Sequence, residues 1–382
     1  MNNSFTSMRP FFQYLLMLSF LSMPLGLMAQ EVPTYEVRGV ISDGGTGETL
    51  PFANVFFSGT TFGTVSDKDG VFTLKADGPG TYDLIISYTG YKPFKQQVVL
   101  NQSGVVEVVA KMEQRSRDIS GVTVTADNNR RWKRLLRMFK TIFLGTSTNA
   151  RACTILNEDI LYLDYDENKG VFEAFASEPL IIENKALGYK ITYVLESFKI
   201  YYREEFSAFS GYPSFEEMEG SKKDKKKWSR ARNQAYYGSI EHFYRELYRG
   251  NTYDAGFRVK IARDKKQGRL IDQDIFYVDS LVNFSADSVR KELSFDDFIY
   301  VRYLHQSPDR RYIESLPASA PTEIRFATNQ LSWIEMPSNE SKVVFERSGL
   351  WVNPMAFITE GYWSFIKMGD LLPLDFQPGQ VN

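Results

Sequence analysis

Between residues 35 and 112 turn residues cut the sequence, at regular spacing, into short stretches of alternating apolar and polar residues. That rhythm confines the segment to a half-buried antiparallel β unit. Val37, Gly39 and Ile41 alternate with Arg38, Val40 and Ser42 until Asp43-Gly44-Gly45-Thr46-Gly47-Glu48 breaks the strand. Ala53, Val55 and Phe57 then share one face, and Ser58-Gly59-Thr60 turns the chain. Phe72 and Leu74 face inward, and Leu84, Ile86 and Tyr88 do so after Asp77-Gly78-Pro79-Gly80. Asp67-Lys68-Asp69-Gly70 reads as a tight hairpin turn with Gly70 at positive φ. The same four residues could open a calcium loop, but position 12 counted from Asp67 is Gly78 rather than a bidentate Glu.

The order of these residues over 37–55, 59–74 and 87–91 resembles the carboxypeptidase-regulatory-like domain: Thr46-Gly47-Glu48 before Leu50-Pro51-Phe52-Ala53-Asn54-Val55, Gly63-Thr64 before Ser66-Asp67 and Asp69-Gly70, then Ser87-Tyr88 and Gly90-Tyr91. The resemblance implies a seven-stranded transthyretin-like β-sandwich, common at the N-termini of exported Bacteroidota proteins that include TonB-dependent receptors. It implies a scaffold and carries no activity with it. Zinc carboxypeptidases resemble one another through an H-x-x-E pair and a distant third His. Here His242 is followed three residues on by Arg245 and His305 by Pro308, so a catalytic zinc site is not expected.

Residues 1–29 read as a secretory signal, with Arg9 in the basic region, an apolar run over 11–21, Pro24 and Gly26 as breakers, and the small Ala29 before the cut. No Cys stands directly after that point, so a lipid anchor is not expected, and no later run is long and apolar enough for a second membrane helix. The 45 basic and 47 acidic residues nearly cancel, which leaves no global footprint for nucleic acid. The single Cys153 cannot form an intrachain disulfide and is read as a small buried hydrophobe.

The sandwich is assigned to 30–114 and a linker to 115–149. Within the linker, 121–125 is strand-like and resembles the strand that leads toward the plug of TonB-dependent receptors. The length that remains is too short for a plug and a 22-stranded barrel. A helix is predicted over 130–144, capped by Asn128 or Asn129 and ended by Gly145. Trp132, Leu135, Leu136, Phe139, Ile142 and Phe143 form its apolar stripe, and Arg131, Lys133, Arg134, Arg137 and Lys140 its basic side. Such a helix either packs its stripe on the following domain or lies on an anionic membrane face.

Residues 150–382 are expected to form a β-rich domain, with strands near 159–166, 171–177, 189–202, 257–262, 274–284, 297–305, 323–328, 331–336 and 342–346. One amphipathic helix stands out over 230–249, capped by Ser229 and closed by Gly250, with His242 packed or surface-exposed beside its stripe. The lysine run Lys222, Lys223, Lys225, Lys226 and Lys227, followed by Trp228, reads as a solvated loop, with docking on anionic headgroups as the functional alternative. Residues 143–153, 178–189, 361–363 and 370–375 are similar to a group of uncharacterised Bacteroidota proteins that carry a regulatory-like sandwich in front. That resemblance implies an address and no activity.

The fold class expected is therefore mainly β, α+β overall. The functional reading is a non-catalytic exported binding or scaffold protein of the periplasm or outer membrane, accessory to envelope or nutrient-uptake machinery. Its expected partner is an envelope protein or outer-membrane component, with peripheral membrane contact through the ten cations named above. No cofactor or metal is read, and no nucleic-acid partner. A glycan- or peptide-directed hydrolase is the first alternative. The adjacent pairs Glu204-Glu205, Glu216-Glu217 and Asp296-Asp297 would point to opposite faces of a strand, so a site would need carboxylates from distant strands. A small outer-membrane barrel is the second, opposed by dense charge and by a tail with Pro378 and Gly379 in place of a terminal aromatic.

Overall fold

The computed structural model describes residues 34–115, 126–204, 206–263, 270–271, 277–287, 289–296, 298–337, 340–353 and 356–379. The leader and the strand read at 121–125 lie outside the described residues. The fold is mainly β, and its buried apolar residues separate into three large cores.

The first core is that of the sandwich. Strands β1 (Tyr35–Asp43), β4 (Val71–Ala76) and β7 (Gly104–Met112) form one sheet in the order β4-β1-β7. Strands β2 (Asn54–Phe57), β3 (Gly63–Val65), β5 (Gly80–Ser87) and β6 (Phe94–Leu100) form the other, in the order β3-β2-β5-β6. Val37, Ile41, Phe72 and Leu74 from one sheet meet Val55, Phe57, Leu84 and Ile86 from the other, as the alternation requires. Two expectations change. The sandwich is not wholly antiparallel, because β7 pairs with β1 in parallel. Asp67-Lys68-Asp69-Gly70 is a tight turn but not a hairpin, since β3 and β4 belong to different sheets. Asp67 Oδ1 accepts from the backbone N–H groups of Asp69 and Val71 at 2.9 Å, and Gly70 has φ 74°.

The second core is a helix-covered sheet. Helix α1 (Ala126–Phe143) precedes β8 (Cys153–Ile155), β9 (Leu161–Asp166), β10 (Val171–Ala176), β11 (Leu180–Asn184), β12 (Tyr189–Tyr201) and β13 (Phe206–Glu217), ordered β8-β11-β12-β10-β9 with β13 also on β12. Strand β13 has no counterpart among the expected strands. Gly211 and Pro213 interrupt its pattern, and both have physical reasons. A Cβ at Gly211 would lie 2.4 Å from the Tyr193 ring, and Pro213 sits on an edge strand.

The amphipathic helix read over 230–249 is two helices. α2 (Lys222–Tyr236) begins at Ser221, whose hydroxyl and the Asp224 carboxylate form a capping box. The lysine run is therefore helix, not loop, and the cap is Ser221, not Ser229. α3 (Ile240–Arg249) begins at Ser239, which accepts from His242 N–H, and ends at Gly250 in the left-handed region. Gly238, with φ 86°, makes the break. Its N–H donates to His242 Nδ1 at 3.1 Å and its carbonyl accepts from Trp363 Nε1 at 2.8 Å. His242 is thus a packed histidine, ringed by Tyr236, Phe257 and Tyr303, and burial lowers its pKa to about 4.

The third core lies between α3 and two sheets. One contains β14 (Phe257–Arg263), β15 (Leu270–Ile271), β18 (Phe298–Tyr303), β19 (Gln330–Glu335) and β21 (Ile358–Gly361), in the order β15-β14-β18-β19-β21. The other contains β16 (Val282–Phe284), β17 (Lys291–Leu293) and β20 (Val343–Phe345). The short helices α4 (Arg310–Ser315), α5 (Thr322–Arg325) and α6 (Tyr362–Phe365) complete it. The strand expected over 323–328 is instead α5 and its exit, begun by Pro321. Among the described residues these sheets are open and separate, which does not match a single small barrel.

The C-terminal segment joins all three cores. Met368 and Leu372 lie in the second core. Leu374 N–H donates to Gly59 O at 2.7 Å, and Asp375 accepts from Thr61 N–H and Oγ1 in the sandwich. Buried Arg245 of α3 donates to Leu374 O at 2.6 Å, Phe376 O at 2.9 Å and Ser348 O at 2.8 Å, and contacts Glu241 at 2.5 Å. Removing one partner of a buried charged network leaves the others unpaired. Arg245→Met should therefore lower unfolding free energy by about 3–5 kcal/mol in denaturant titrations. Arg249→Ala, which breaks a half-exposed pair with Glu246, should change it by less than about 1 kcal/mol.

Candidate anionic-surface site

Helix α1 starts before Asn128 and Asn129, so those residues lie within the helix and do not cap it. Its apolar stripe is buried on β12. Phe139 packs on Phe198 with ring centroids 4.8 Å apart, and Phe143 sits edge-on to Tyr193 at 4.9 Å. Trp132 Nε1 donates to Leu161 O at 3.3 Å, which seats the first turns on β9.

The five basic candidates of α1 divide into two sets. Arg131 lies 3.3 Å from Asp164 and donates to Tyr165 O, and Lys140 pairs with Glu158. Their charge is neutralised locally. Lys133, Arg134 and Arg137 are exposed, with no carboxylate partner among the described residues. At 3.6 residues per turn Arg130 joins them on the side opposite the buried stripe. Beside this ridge Arg134, Arg137, Met138, Thr141, Ile142 and Tyr202 line an open groove of about 330 Å³. Arg130, Met138 and Tyr202 were not among the sequence candidates. Arg130 falls on the ridge by helical phase alone, whereas Tyr202 is brought in by the sheet. Two guanidinium forks above a half-apolar floor suit an anionic group attached to something greasy.

The lysine run forms a second ridge. Trp228 is buried, its Nε1 donating to Lys185 O at 3.1 Å, and Arg232 lies over the Tyr189 ring at 3.9 Å while also pairing with Glu217. These contacts fix the phase of α2, turning Lys223 and Lys226 outward, with Lys222 and Lys227 on its flanks and Lys225 one turn before Trp228. All five are exposed and have no ion-pair partner among the described residues. The structure does not merge the two ridges into one pocket. α1 covers the Phe198 end of β12 and α2 the Tyr189 end, and Tyr189 to Ile200 spans about 36 Å at 3.3 Å per residue.

The carboxylate pairs offer less. Glu205 and Asp297 lie outside the described residues, and Glu217 is engaged by Arg232. A buried polar junction does gather the motif segments 143–153, 178–189 and 370–375. Asn184, fully buried, donates to Gly369 O at 2.9 Å and accepts from Ala186 and Leu187 N–H. Asn149 Nδ2 donates to Asp370 Oδ1 at 3.0 Å. Burial raises Asp370 to about 6 despite the opposing pull of Ser147 and Asn149, and pushes the neighbouring Cys153 thiol up to about 12. A thiol that stays protonated is a poor nucleophile. The junction holds the tail in place.

With the geometry in hand, residues 37–124 match the family described as CarboxypepD_reg-like domain. The two sheets of three and four strands over 35–112 agree with it. Residues 37–124 are a carboxypeptidase-regulatory-like domain. The chain is also similar to TonB-dependent receptor SusC of Bacteroides thetaiotaomicron, 33% identical over 97 residues, or 25% of this chain. The match spans 9% of that receptor's length. Among solved structures, a candidate membrane-associated protein of unknown function from Bacteroides fragilis overlaps 43% of this chain and 65% of its own at 16% identity and TM-score 0.18. A candidate carbohydrate-binding protein from Bacteroides uniformis overlaps 48% of this chain and 80% of its own at 13% identity and TM-score 0.19. At such scores the overlap does not amount to a shared overall fold.

The Asp370 carboxyl gives a pH test of the junction. Its folded pKa is raised above the ordinary 3.8, so its favourable contribution is complete below about pH 4 and is lost as pH rises through about 6. Asp370→Asn keeps an acceptor for Asn149 and removes the charge. Thermal unfolding at pH 4 should match the parent, while at pH 8 the variant should be the more stable by about 1–3 kcal/mol.

Proposed function

We propose that this chain is a non-catalytic binding protein of the bacterial envelope. In this reading it is exported and attached peripherally at the periplasmic or outer-membrane side, as an accessory to envelope or nutrient-uptake machinery. The observation that carries the reading is the set of outward cations along α1 that have no ion-pair partner among the described residues, set beside an open, half-apolar groove. Ridges of unpaired charge suit recognition of a surface, whereas catalysis draws on groups that converge in a desolvated cleft. Between the regulatory-like domain and the second sheet, the space lined by Tyr88, Tyr91, Arg115 and Ser177 is only about 10 Å³, room for about one water. The regulatory-like domain supports the address, since a TonB-dependent receptor carries a similar segment.

Fractionation of the native host tests the reading. The mature protein should sediment with the envelope and be released by high salt or alkaline carbonate without detergent. Recovery only in detergent would favour an integral barrel. Recovery in cytosol with the leader uncleaved would remove the reading altogether.

A further inference from the structure

The second sheet has two differently covered faces. On one, Val194 and Tyr212 pack against Phe56 and Ile85 of the regulatory-like domain, and Pro213 O accepts from Gly59 N–H at 2.6 Å. On the other, Tyr189, Ile191, Tyr193, Phe198 and Ile200 carry α1 and, through Ala231, Ala235 and Tyr236, also α2. Both helices therefore lie on the side turned away from the regulatory-like domain, and each buries its apolar stripe toward the sheet. Their outward cations, about 90 residues apart in sequence by the chain's numbering, face the same way.

We infer that the α1 and α2 ridges together form one docking face for an anionic phospholipid bilayer, with the regulatory-like domain held on the far side. This rests on the peripheral-binding reading above and names its partner. The span decides the choice of occupant. A single small anion could satisfy Arg134 and Arg137, but not also the lysines of the helix at the opposite end of β12, whereas a charged bilayer meets both at once. The groove supplies the second element of an interfacial site. Met138, Ile142 and Tyr202 offer apolar surface directly beside the guanidinium groups, at the depth where headgroup gives way to acyl chain. Among the described residues none of these exposed cations is held in an ion pair, and the one carboxylate that acts on the lysine ridge is Asp224 beside Lys223 and Lys227, so attraction to the surface is offset little by broken ion pairs.

The test is co-sedimentation of the purified mature chain with vesicles of phosphatidylglycerol and phosphatidylcholine, against vesicles of phosphatidylcholine alone. The parent should bind only the anionic vesicles, and more weakly as salt rises. Each basic residue near such a surface contributes enough that losing two should lower partitioning by about thirty-fold, and reversing them by at least that much. Arg134→Glu/Arg137→Glu should show that loss, Lys223→Glu/Lys226→Glu should show a similar loss, and the four changes together should abolish binding. Lys75→Glu/Lys111→Glu reverses as much charge on exposed strand positions of the regulatory-like domain and should leave binding within about twofold. Loss from one ridge only, equal loss from the control, or failure of the parent to bind would each overturn the inference. If the parent fails here yet is salt-released from native envelopes, the peripheral reading stands and its anionic partner is a protein or glycan.

Discussion

The Arg245 guanidinium is the contact on which the relative placement of the three cores depends. Backbone that is neither helix nor strand cannot satisfy its own N–H and C=O groups, and when buried it must borrow partners from its surroundings. Residues 368–376, a single 3-10 turn at Met368–Asp370 followed by irregular chain, come close to such a segment. Gly369 N–H finds Leu144 O, Gly369 O finds Asn184, and Leu374 N–H finds Gly59 O. The carbonyls of Leu374 and Phe376 are left for Arg245, a charged donor with its fork already fixed by Glu241 and by the Tyr236 ring. The direct apolar contact between the regulatory-like domain and the second sheet is small, Phe56 and Ile85 on Val194 and Tyr212. Position here is set by hydrogen bonds to a shared strap more than by area.

That arrangement also decides where charge can be displayed. The second sheet carries helices over one face, whereas the other meets the regulatory-like domain at Val194 and Tyr212 and leaves Tyr162, Glu173, Lys190 and Lys199 exposed. Cations on the helical side can point only away from the domain. Because both helices bury their apolar stripes on that one face, the basic residues opposite the stripes are aligned.

Much of this was legible in the sequence where a local rule sufficed. Period-two alternation and Gly-Asp turns gave the sandwich, and spacings of three and four gave the stripe of α1. Other features needed partners that no local pattern shows. Gly238 sits inside a continuous helical stripe, and only Trp363 and His242, which hold its peptide, reveal a break there. The capping box at Ser221 and Asp224 was a readable signal, masked by the weight of lysine around it. Parallel pairing of β1 with β7 depends on closure of the sheet. The basic character of the site was plain from composition, but which cations stay unpaired was not, because Asp164 and Glu158 come from β9 and from the turn before it.

The apolar run Leu371-Leu372-Pro373-Leu374 has no periodicity to set its own register. Leucines one residue apart would fill neighbouring hollows about equally well, since apolar contact is not directional. Polar groups at the two ends of the run remove that freedom. At one end Asn149 meets Asp370 and Asn184 meets Gly369; at the other Thr61 meets Asp375 and Arg245 meets the Leu374 and Phe376 carbonyls. A slip by one residue would strand a buried carboxylate and a buried guanidinium together, and each stranded group costs about 1–3 kcal/mol or more. Burial of Asp370 is tolerated at a raised pKa because it supplies what leucine cannot, a single position for the strap and hence a single orientation for the face beyond it.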